Sequence, residues 1–295
     1  MILSNTQDSQ TMGSSESKRE EEDVVEIEED EEGLTDTLRT HLTRLIAYAE
    51  SADVTLQQEV AEKLANEAVK PERQRQIVEV GGLKLLLPLT ESSDTEVQRL
   101  AAHALANLSV NAENQILMAA EGGIEMLVHL VKIEGENCEA VHRQASKALA
   151  NLGVNSENKM RISQAGGIAP LIELAKSRNM TVSVEAIAAL ANLAVNDSNE
   201  REIAERGGLA PILDGANTDH LDLQSQAARA LRNLSVNEDN KKIIITLGGV
   251  NILKKLCRNC PNDRVRTQAA RALANLGTDE GEDTHNEGKY EEEKG

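Results

Sequence analysis

The chain has 295 residues, a formal net charge of −19, no Phe or Trp, and two Tyr. Because aromatic side chains are nearly absent, the interior must be built from Leu, Ile, Val and Ala, which let helices approach closely. Residues 1–33 hold 12 acids against 2 bases, and residues 278–295 hold 8 against 2. Residues 34–277 then hold 30 acids and 27 bases. This near balance lacks the basic field of a nucleic-acid-binding domain, so nucleic-acid partners are not expected.

The chain has no feature of a secreted or membrane-spanning protein. Three cysteines do not form a disulfide framework, and the first thirty residues lack the apolar core of a signal peptide. No apolar stretch approaches the ~20 residues that a membrane-spanning helix needs. We therefore expect a cytoplasmic protein, with nuclear or cytoskeleton-associated alternatives. Residues 12–17 would form a myristoylation signal only if translation began at Met12.

The acidic ends are predicted to be disordered, because segments 1–33 and 278–295 have too few apolar residues to offset the entropy of ordering. Within the leader, Val24, Val25 and Ile27 lie between acidic runs. This arrangement resembles a SUMO-interacting strand, which would add to the edge of a partner's sheet. The alternative is that these aliphatic residues occur by chance in an acidic leader.

Between the ends, the pair Gly-Gly recurs at a fixed period. The pairs begin at Gly81, Gly122, Gly166, Gly207 and Gly248, with steps of 41, 44, 41 and 41 residues. Such a period indicates stacked repeats. In each unit a capping Asn precedes a short helix that stops at the glycines, and a second helix and a longer third helix follow. In residues 139–153, Ala145, Ala148, Leu149 and Leu152 have the spacing of one buried helical face.

A ladder of single asparagines runs in the same phase. Its members lie near the end of each third helix: Asn66, Asn107, Asn151, Asn192, Asn233 and Asn275. Asparagine costs a helix about 0.6 kcal/mol relative to alanine, so something must offset that cost. Its amide could bond to its own backbone or to the next turn. Alternatively, it could satisfy both the N–H and the C=O of an extended peptide.

The third helices end in one motif, as in residues 188–196, Ala-Ala-Leu-Ala-Asn-Leu-Ala-Val-Asn. This motif, together with the Gly turn and three helices per unit, resembles the armadillo-repeat family over residues 34–277. The resemblance implies an all-α, right-handed solenoid of about five full repeats after a partial one. The predicted units are 34–70 (a partial cap), 71–110, 111–154, 155–195, 196–236 and 237–277. The style of the units is most similar to the armadillo segments of cytoskeletal kinesins and vacuolar scaffold proteins.

The resemblance implies a non-catalytic scaffold or adaptor whose third helices line a concave groove, where the asparagines hold a partner's main chain. Nuclear-import receptors of this family usually place Trp one turn before the Asn, but this chain contains no Trp. Cationic groups lie on or near the groove helices instead: Arg99, His103, Arg143, Lys147, Arg229, Arg232 and Arg271. They favour extended, acidic protein segments as partners. The alternative for these groups is simple solvation of an exposed helix face.

Two narrower functions remain open: a cargo- or tubulin-binding module of a cytoskeletal motor system, and a substrate-binding array of a ubiquitin-ligase assembly. The last unit has no polar capping repeat, so end-to-end self-association is possible. Cys257 and Cys260 have the spacing of half a zinc or redox site, but a second pair of ligands is missing. The sequence has no nucleophile elbow, paired carboxylates or metal-binding helix motif. We therefore expect no enzyme activity, no metal and no cofactor.

Overall fold

The computed structural model describes residues 33–135 and 137–277, which form seventeen helices and no strand. The all-α class predicted from the sequence is confirmed. The predicted motif of Val24, Val25 and Ile27, the Met12 segment and the tail 278–295 lie outside the described residues. Gly33, assigned above to the leader, is the first residue of a helix.

The helices form a partial unit followed by five units of three helices each. The partial unit is α1 (Gly33–Ala49) and α2 (Val54–Ala68). The full units are α3 (Pro71–Glu79), α4 (Leu83–Thr90), α5 (Thr95–Leu108); α6 (Ala112–Ala120), α7 (Gly123–Leu130), α8 (Glu139–Leu152); α9 (Ser156–Gln164), α10 (Ile168–Ala175), α11 (Met180–Leu193); α12 (Asp197–Glu205), α13 (Leu209–Ala216), α14 (Leu221–Leu234); and α15 (Glu238–Thr246), α16 (Gly249–Asn259), α17 (Asp263–Leu276).

The third helices form a continuous layer, because each of α2, α5, α8, α11, α14 and α17 packs against the next one. Alanine and leucine make up most of the buried residues of these helices. In α8, Ala145, Ala148, Leu149 and Leu152 are all fully buried, which confirms the face predicted from their spacing. Small alanine side chains let neighbouring third helices approach closely. The array therefore presents one surface that successive third helices build together.

The two glycines of each pair are needed for different reasons. The first has a φ between +76° and +89°, a left-handed conformation that residues with a Cβ rarely adopt. The second lies where a Cβ would be only 2.7–3.0 Å from the carbonyl oxygen of the residue five positions earlier. The pair thus turns the chain sharply and brings the second helix close to the end of the first.

The two ends of the array differ in how they are covered. At the N-terminal end α1, which has a non-helical break at His41, packs against α2 and α4. At the other end, Ala270 in α17 is exposed. Its counterpart in the preceding unit is Ala228 in α14, which packs against α17 and is fully buried. Ile245 in α15 is also 46% exposed. End-to-end association through this unit stays a prediction.

Candidate functional site

The fifth, ninth and thirteenth residues of the third helices lie on one side of each helix, because residues four apart are neighbours on a helix surface. We call this surface the third-helix face. The thirteenth residue is an asparagine in all six helices: Asn66, Asn107, Asn151, Asn192, Asn233 and Asn275. The ninth residues are Glu62, His103, Lys147, Ala188, Arg229 and Arg271. The face therefore contains most of the residues that the sequence predicted for a groove.

Four of the six asparagines bond to the preceding unit. The Nδ2 of Asn192 donates to the Ala150 carbonyl at 2.6 Å, and that of Asn233 donates to the Ala191 carbonyl at 2.8 Å. The Nδ2 of Asn275 donates at 3.1 Å to the Arg232 carbonyl and to Ser235 Oγ. The amide of Asn151 reaches Ser109 Oγ at 3.0 Å.

These bonds fill a particular gap at the end of each third helix. The last four carbonyls of a helix have no partner within it. In α8, the amides of Gly153, Val154 and Asn155 cover three of them by bonding to Leu149, Asn151 and Leu152. The remaining carbonyl, that of Ala150, accepts from Asn192 of the next unit. Asn192, Asn233 and Asn275 thus cap one unit with the next, a use that neither sequence-based alternative included.

The first two asparagines of the ladder are not bonded in this way. Asn66 is exposed in the partial unit. Asn107 is half-buried, and its Nδ2 has no hydrogen-bond partner among the described residues. The α5 carbonyl that corresponds to Ala150 is that of Ala106, which accepts from Ser109 Oγ at 2.7 Å. Capping by the next unit is therefore complete only from α8 onward.

A first group of cations surrounds His103. Burial lowers the pKa of this histidine, and the nearby charges of Arg99, Lys147 and Arg143 lower it further. Arg99 forms a bidentate pair with Glu96, at 2.7 and 2.6 Å, so its charge is largely offset. The side chains of Arg143 and Lys147 are exposed. We call His103, Arg143 and Lys147 the N-terminal cluster.

A second group lies on α14 and α17. Arg229 is half-buried and donates to the Ala188 carbonyl at 3.1 Å, while its Nε is buried without a partner. Burial lowers the pKa of Arg229, and the nearby charges of Arg232 and Arg264 lower it further. Arg271 is the ninth residue of α17 and so corresponds to Arg229, the ninth residue of α14. We call Arg229, Arg232, Arg264 and Arg271 the C-terminal cluster.

None of the four arginines of the C-terminal cluster forms an ion pair with a carboxylate of the described residues. The Arg232 guanidinium instead donates to Asn233 Oδ1 at 3.1 and 2.8 Å. Like charges that lie close together repel one another unless an anion offsets them. The cluster is therefore suited to an external anionic group.

The segment between the two clusters has a different character. The fifth and ninth residues of α11 are Val184 and Ala188, so this part of the face has no cation at those positions. Glu185 lies beside them and is half-buried. Burial raises the pKa of its carboxyl group, while the charges of Lys147 and Arg143 act in the opposite direction.

Sequence reasoning missed a second asparagine ladder, located on the first helices. Asn114, Asn158, Asn199 and Asn240 are 0–3% exposed. The Nδ2 of Asn114 donates to the Gln74 and Leu108 carbonyls at 2.9 and 3.2 Å, and that of Asn199 donates to the Lys159 carbonyl at 3.0 Å. The signal was present as Asn-x-x-Asn at the repeat period, as in Asn196 and Asn199.

The described residues contain no group of three or more His, Cys, Asp or Glu that could hold a metal ion. The thiol of Cys260 lies 3.3 Å from Gln224 Oε1, and that of Cys257 lies 3.8 Å from the Arg266 carbonyl. In the same part of the chain, no helix is long and apolar enough to cross a membrane.

Comparison with known proteins identifies the family. The model of the armadillo-like family matches residues 39–213, and that of the armadillo/beta-catenin-like repeat matches residues 237–278. The chain belongs to the armadillo-repeat family, and the predicted solenoid is confirmed. No curated protein matches it.

Three similar solved structures are engineered or designed proteins. One, from the Northeast Structural Genomics Consortium, is 34% identical, with a TM-score of 0.72 over 79% of this chain and 95% of its own. The designed armadillo repeat protein YIII(Dq)4CqI is 27% identical, with a TM-score of 0.71 over 80% of this chain and 99% of its own. A related design in complex with the peptide (KR)4 is 27% identical, with a TM-score of 0.70 over 80% of this chain and 99% of its own.

Proposed function

We propose that this protein is a non-catalytic scaffold or adaptor that binds extended, acidic segments of partner proteins along its third-helix face. The observation that carries the proposal is the C-terminal cluster, four arginines with no carboxylate partner among the described residues. Opposite charges across an interface give specificity and speed association.

Binding of an extended peptide is supported by the design whose structure contains (KR)4. That ligand is basic, whereas the third-helix face of this chain has two clusters of cations. At the fifth, ninth and thirteenth positions of the third helices the acidic residue is Glu62, in the partial unit, and Glu185 lies beside the face. We therefore assign this chain a ligand of the opposite charge.

Asn151, Asn192 and Asn275 are suited to contact a ligand's backbone even though their Nδ2 atoms bond to the preceding unit. An amide has a second N–H and a carbonyl oxygen. Asn151, Asn192 and Asn275 are half-buried. Their Oδ1 atoms are not among the buried polar atoms that lack a hydrogen-bond partner. These oxygens could accept bonds from the N–H groups of an extended segment.

The proposal assigns the protein to the cytoplasm. Its support is that three cysteines do not make up the disulfide framework that is common in secreted proteins. No observation on the described residues favours the motor-system module or the ubiquitin-ligase array over a general scaffold.

The test compares an oligo-glutamate peptide with (KR)4 by fluorescence anisotropy at low and physiological salt. We expect the acidic peptide to bind and its affinity to fall as salt rises, because exposed charges are screened within about 8 Å at physiological ionic strength. The variant R264E/R271E should weaken binding at least tenfold. A matched control, R178E/R201E, makes the same change in net charge at exposed residues outside the third helices. Preference for (KR)4, or equal losses in both variants, would refute the proposal.

A further inference from the structure

The cations on and beside the third-helix face fall into two clusters with a gap between them. The N-terminal cluster lies on α5 and α8, and the C-terminal cluster lies on α14 and α17. The intervening helix, α11, has Val184 and Ala188 at the corresponding positions and a carboxylate, Glu185, beside them. A uniformly acidic ligand would fit both clusters but not the stretch between them.

We propose that the face recognises a bipartite ligand: one extended segment with two acidic blocks separated by a stretch that is apolar or basic. This inference rests on the proposed function and specifies its partner. One block contacts Arg143 and Lys147 and the other contacts Arg264 and Arg271, all of which are exposed. The stretch between the blocks crosses α11.

The stacking of the helices sets the distance between the blocks. The centres of the two clusters are three steps apart in the third-helix layer, from between α5 and α8 to between α14 and α17. Packed helices have axes about 8–10 Å apart, which gives roughly 24–30 Å. An extended chain advances about 3.3 Å per residue, so the block centres should be about 7–9 residues apart.

The centre of the face selects against an acidic middle stretch. Glu185 is half-buried and lies close enough to Lys147 and Arg143 for their charges to act on it. A ligand carboxylate at this point would meet a like charge in a partly desolvated place, which is unfavourable. An apolar side chain would meet the half-buried Val184, and a lysine would meet Glu185. The structure thus uses a repulsive element as well as attractive ones to define its ligand.

The test uses synthetic peptides of equal length. One has a single block of four glutamates, and three have two such blocks whose centres are 4, 8 or 14 residues apart, with serine and glutamine elsewhere. Linking two sites with a spacer that matches their separation raises affinity without new contacts. We expect the 8-residue separation to bind at least about tenfold more tightly than the single block, and the other two separations to bind less tightly.

Charge reversal in each cluster then tests the assignment of the blocks. R143E/K147E and R264E/R271E should each reduce the 8-residue peptide to the affinity of the single block and remove the dependence on separation. The control R178E/R201E should retain both. E185Q should reduce the discrimination between a serine-filled and a glutamate-filled middle stretch.

The outcomes separate this inference from the proposed function. If the single block binds and the cluster variants weaken it, but separation has no effect, then acidic-segment binding stands and the bipartite ligand is refuted. If the single block and the two-block peptides all fail to bind the wild-type protein, the proposed function itself fails. Circular dichroism of each variant checks that the helices remain folded.

Discussion

Two ladders of asparagines run through the array, and the same side chain has a different environment in each. In the first helices Asn114, Asn158, Asn199 and Asn240 are 0–3% exposed. In the third helices Asn151, Asn192, Asn233 and Asn275 are half-buried. The first-helix ladder has a member in four of the five full repeats, since α3 has no asparagine, and the third-helix ladder has one in every repeat. Both link neighbouring units through Nδ2. Repetition alone therefore shows that a repeat needs an asparagine but does not show whether a ligand can reach it.

The difference in burial separates two roles. A buried asparagine only links units, whereas a half-buried one links units and also lies at the surface that a ligand can contact. A side chain that is 1% exposed, such as Asn199, can bond only to the protein. Asn192 bonds to the preceding unit on one side and still reaches the surface of the third-helix face. Removing an internal bond and adding a charge should therefore have different effects at the two positions.

The largest expected effect is that of Asn199→Asp. The substitution replaces a buried N–H donor, 3.0 Å from the Lys159 carbonyl, with an acceptor or a charge. A buried charge without a partner is very unfavourable, so we expect the free energy of unfolding to fall by about 3 kcal/mol or more at pH 7. Chemical denaturation followed by circular dichroism measures it. Partial recovery at pH 5 is expected, because burial raises the pKa of a carboxyl group and protonation removes the charge.

The matched control for this substitution is Asn196→Asp. Asn196 is the N-cap of α12, where its side chain accepts from the amides of Ser198 and Asn199. Aspartate is as good an N-cap as asparagine, so stability should change by less than about 0.5 kcal/mol. If both variants are equally stable, Asn199 does not have the structural role assigned to it.

Asn192→Asp should have a smaller effect on stability and a separate effect on binding. The donor to the Ala150 carbonyl is lost, but a half-buried carboxylate can turn toward water, so we expect a cost of about 1 kcal/mol. The new negative charge lies on the third-helix face and should weaken the binding of an acidic peptide severalfold. Unchanged affinity in anisotropy measurements would show that the ligand does not approach the thirteenth position.

The repeat architecture could be predicted from the sequence because its signals are local. Each glycine pair, each capping asparagine and the apolar spacing in α8 is a feature of a single helix and the turns next to it. Their recurrence along the chain then shows the repeat. The structure then gives the physical reasons, the positive φ of the first glycine and the close approach at the second.

The partners of the third-helix asparagines could not be predicted in the same way. The carbonyl that Asn192 caps lies 42 residues earlier in the chain. This carbonyl needs a donor because the amides that follow α8 bond to the other three terminal carbonyls of the helix and leave it without one. The pairing of Arg99 with Glu96 was likewise not predicted, although the two residues are only three positions apart on α5.

A smaller effect is expected from the acidic segment 278–295, which follows directly after α17. If it behaves as a flexible coil, its 18 residues span roughly 24 Å, enough to reach the C-terminal cluster and compete with an acidic ligand. Deleting it should tighten the binding of an acidic peptide a fewfold at low salt and change it little at high salt. The deletion should have no effect in R264E/R271E. Equal affinities with and without the segment at low salt would show that it does not compete.

The smallest expected effect is a pH dependence that originates at His103. Burial and the neighbouring Arg99, Lys147 and Arg143 lower its pKa, so this side chain is neutral in the free protein at pH 7. Its contribution to stability is then complete above the ordinary histidine pKa of about 6.5 and decreases as the pH falls below that value. A bound acidic block would offset the surrounding positive charge and raise the pKa of His103, so binding would be coupled to proton uptake. We expect affinity for a single block to rise about twofold to threefold between pH 7.5 and 5.5. The variant His103→Gln should lose this increase, whereas His129→Gln, on the exposed side of α7, should retain it. If both variants keep the same pH dependence, the acidic block does not lie beside His103, and the N-terminal cluster is not part of the binding surface.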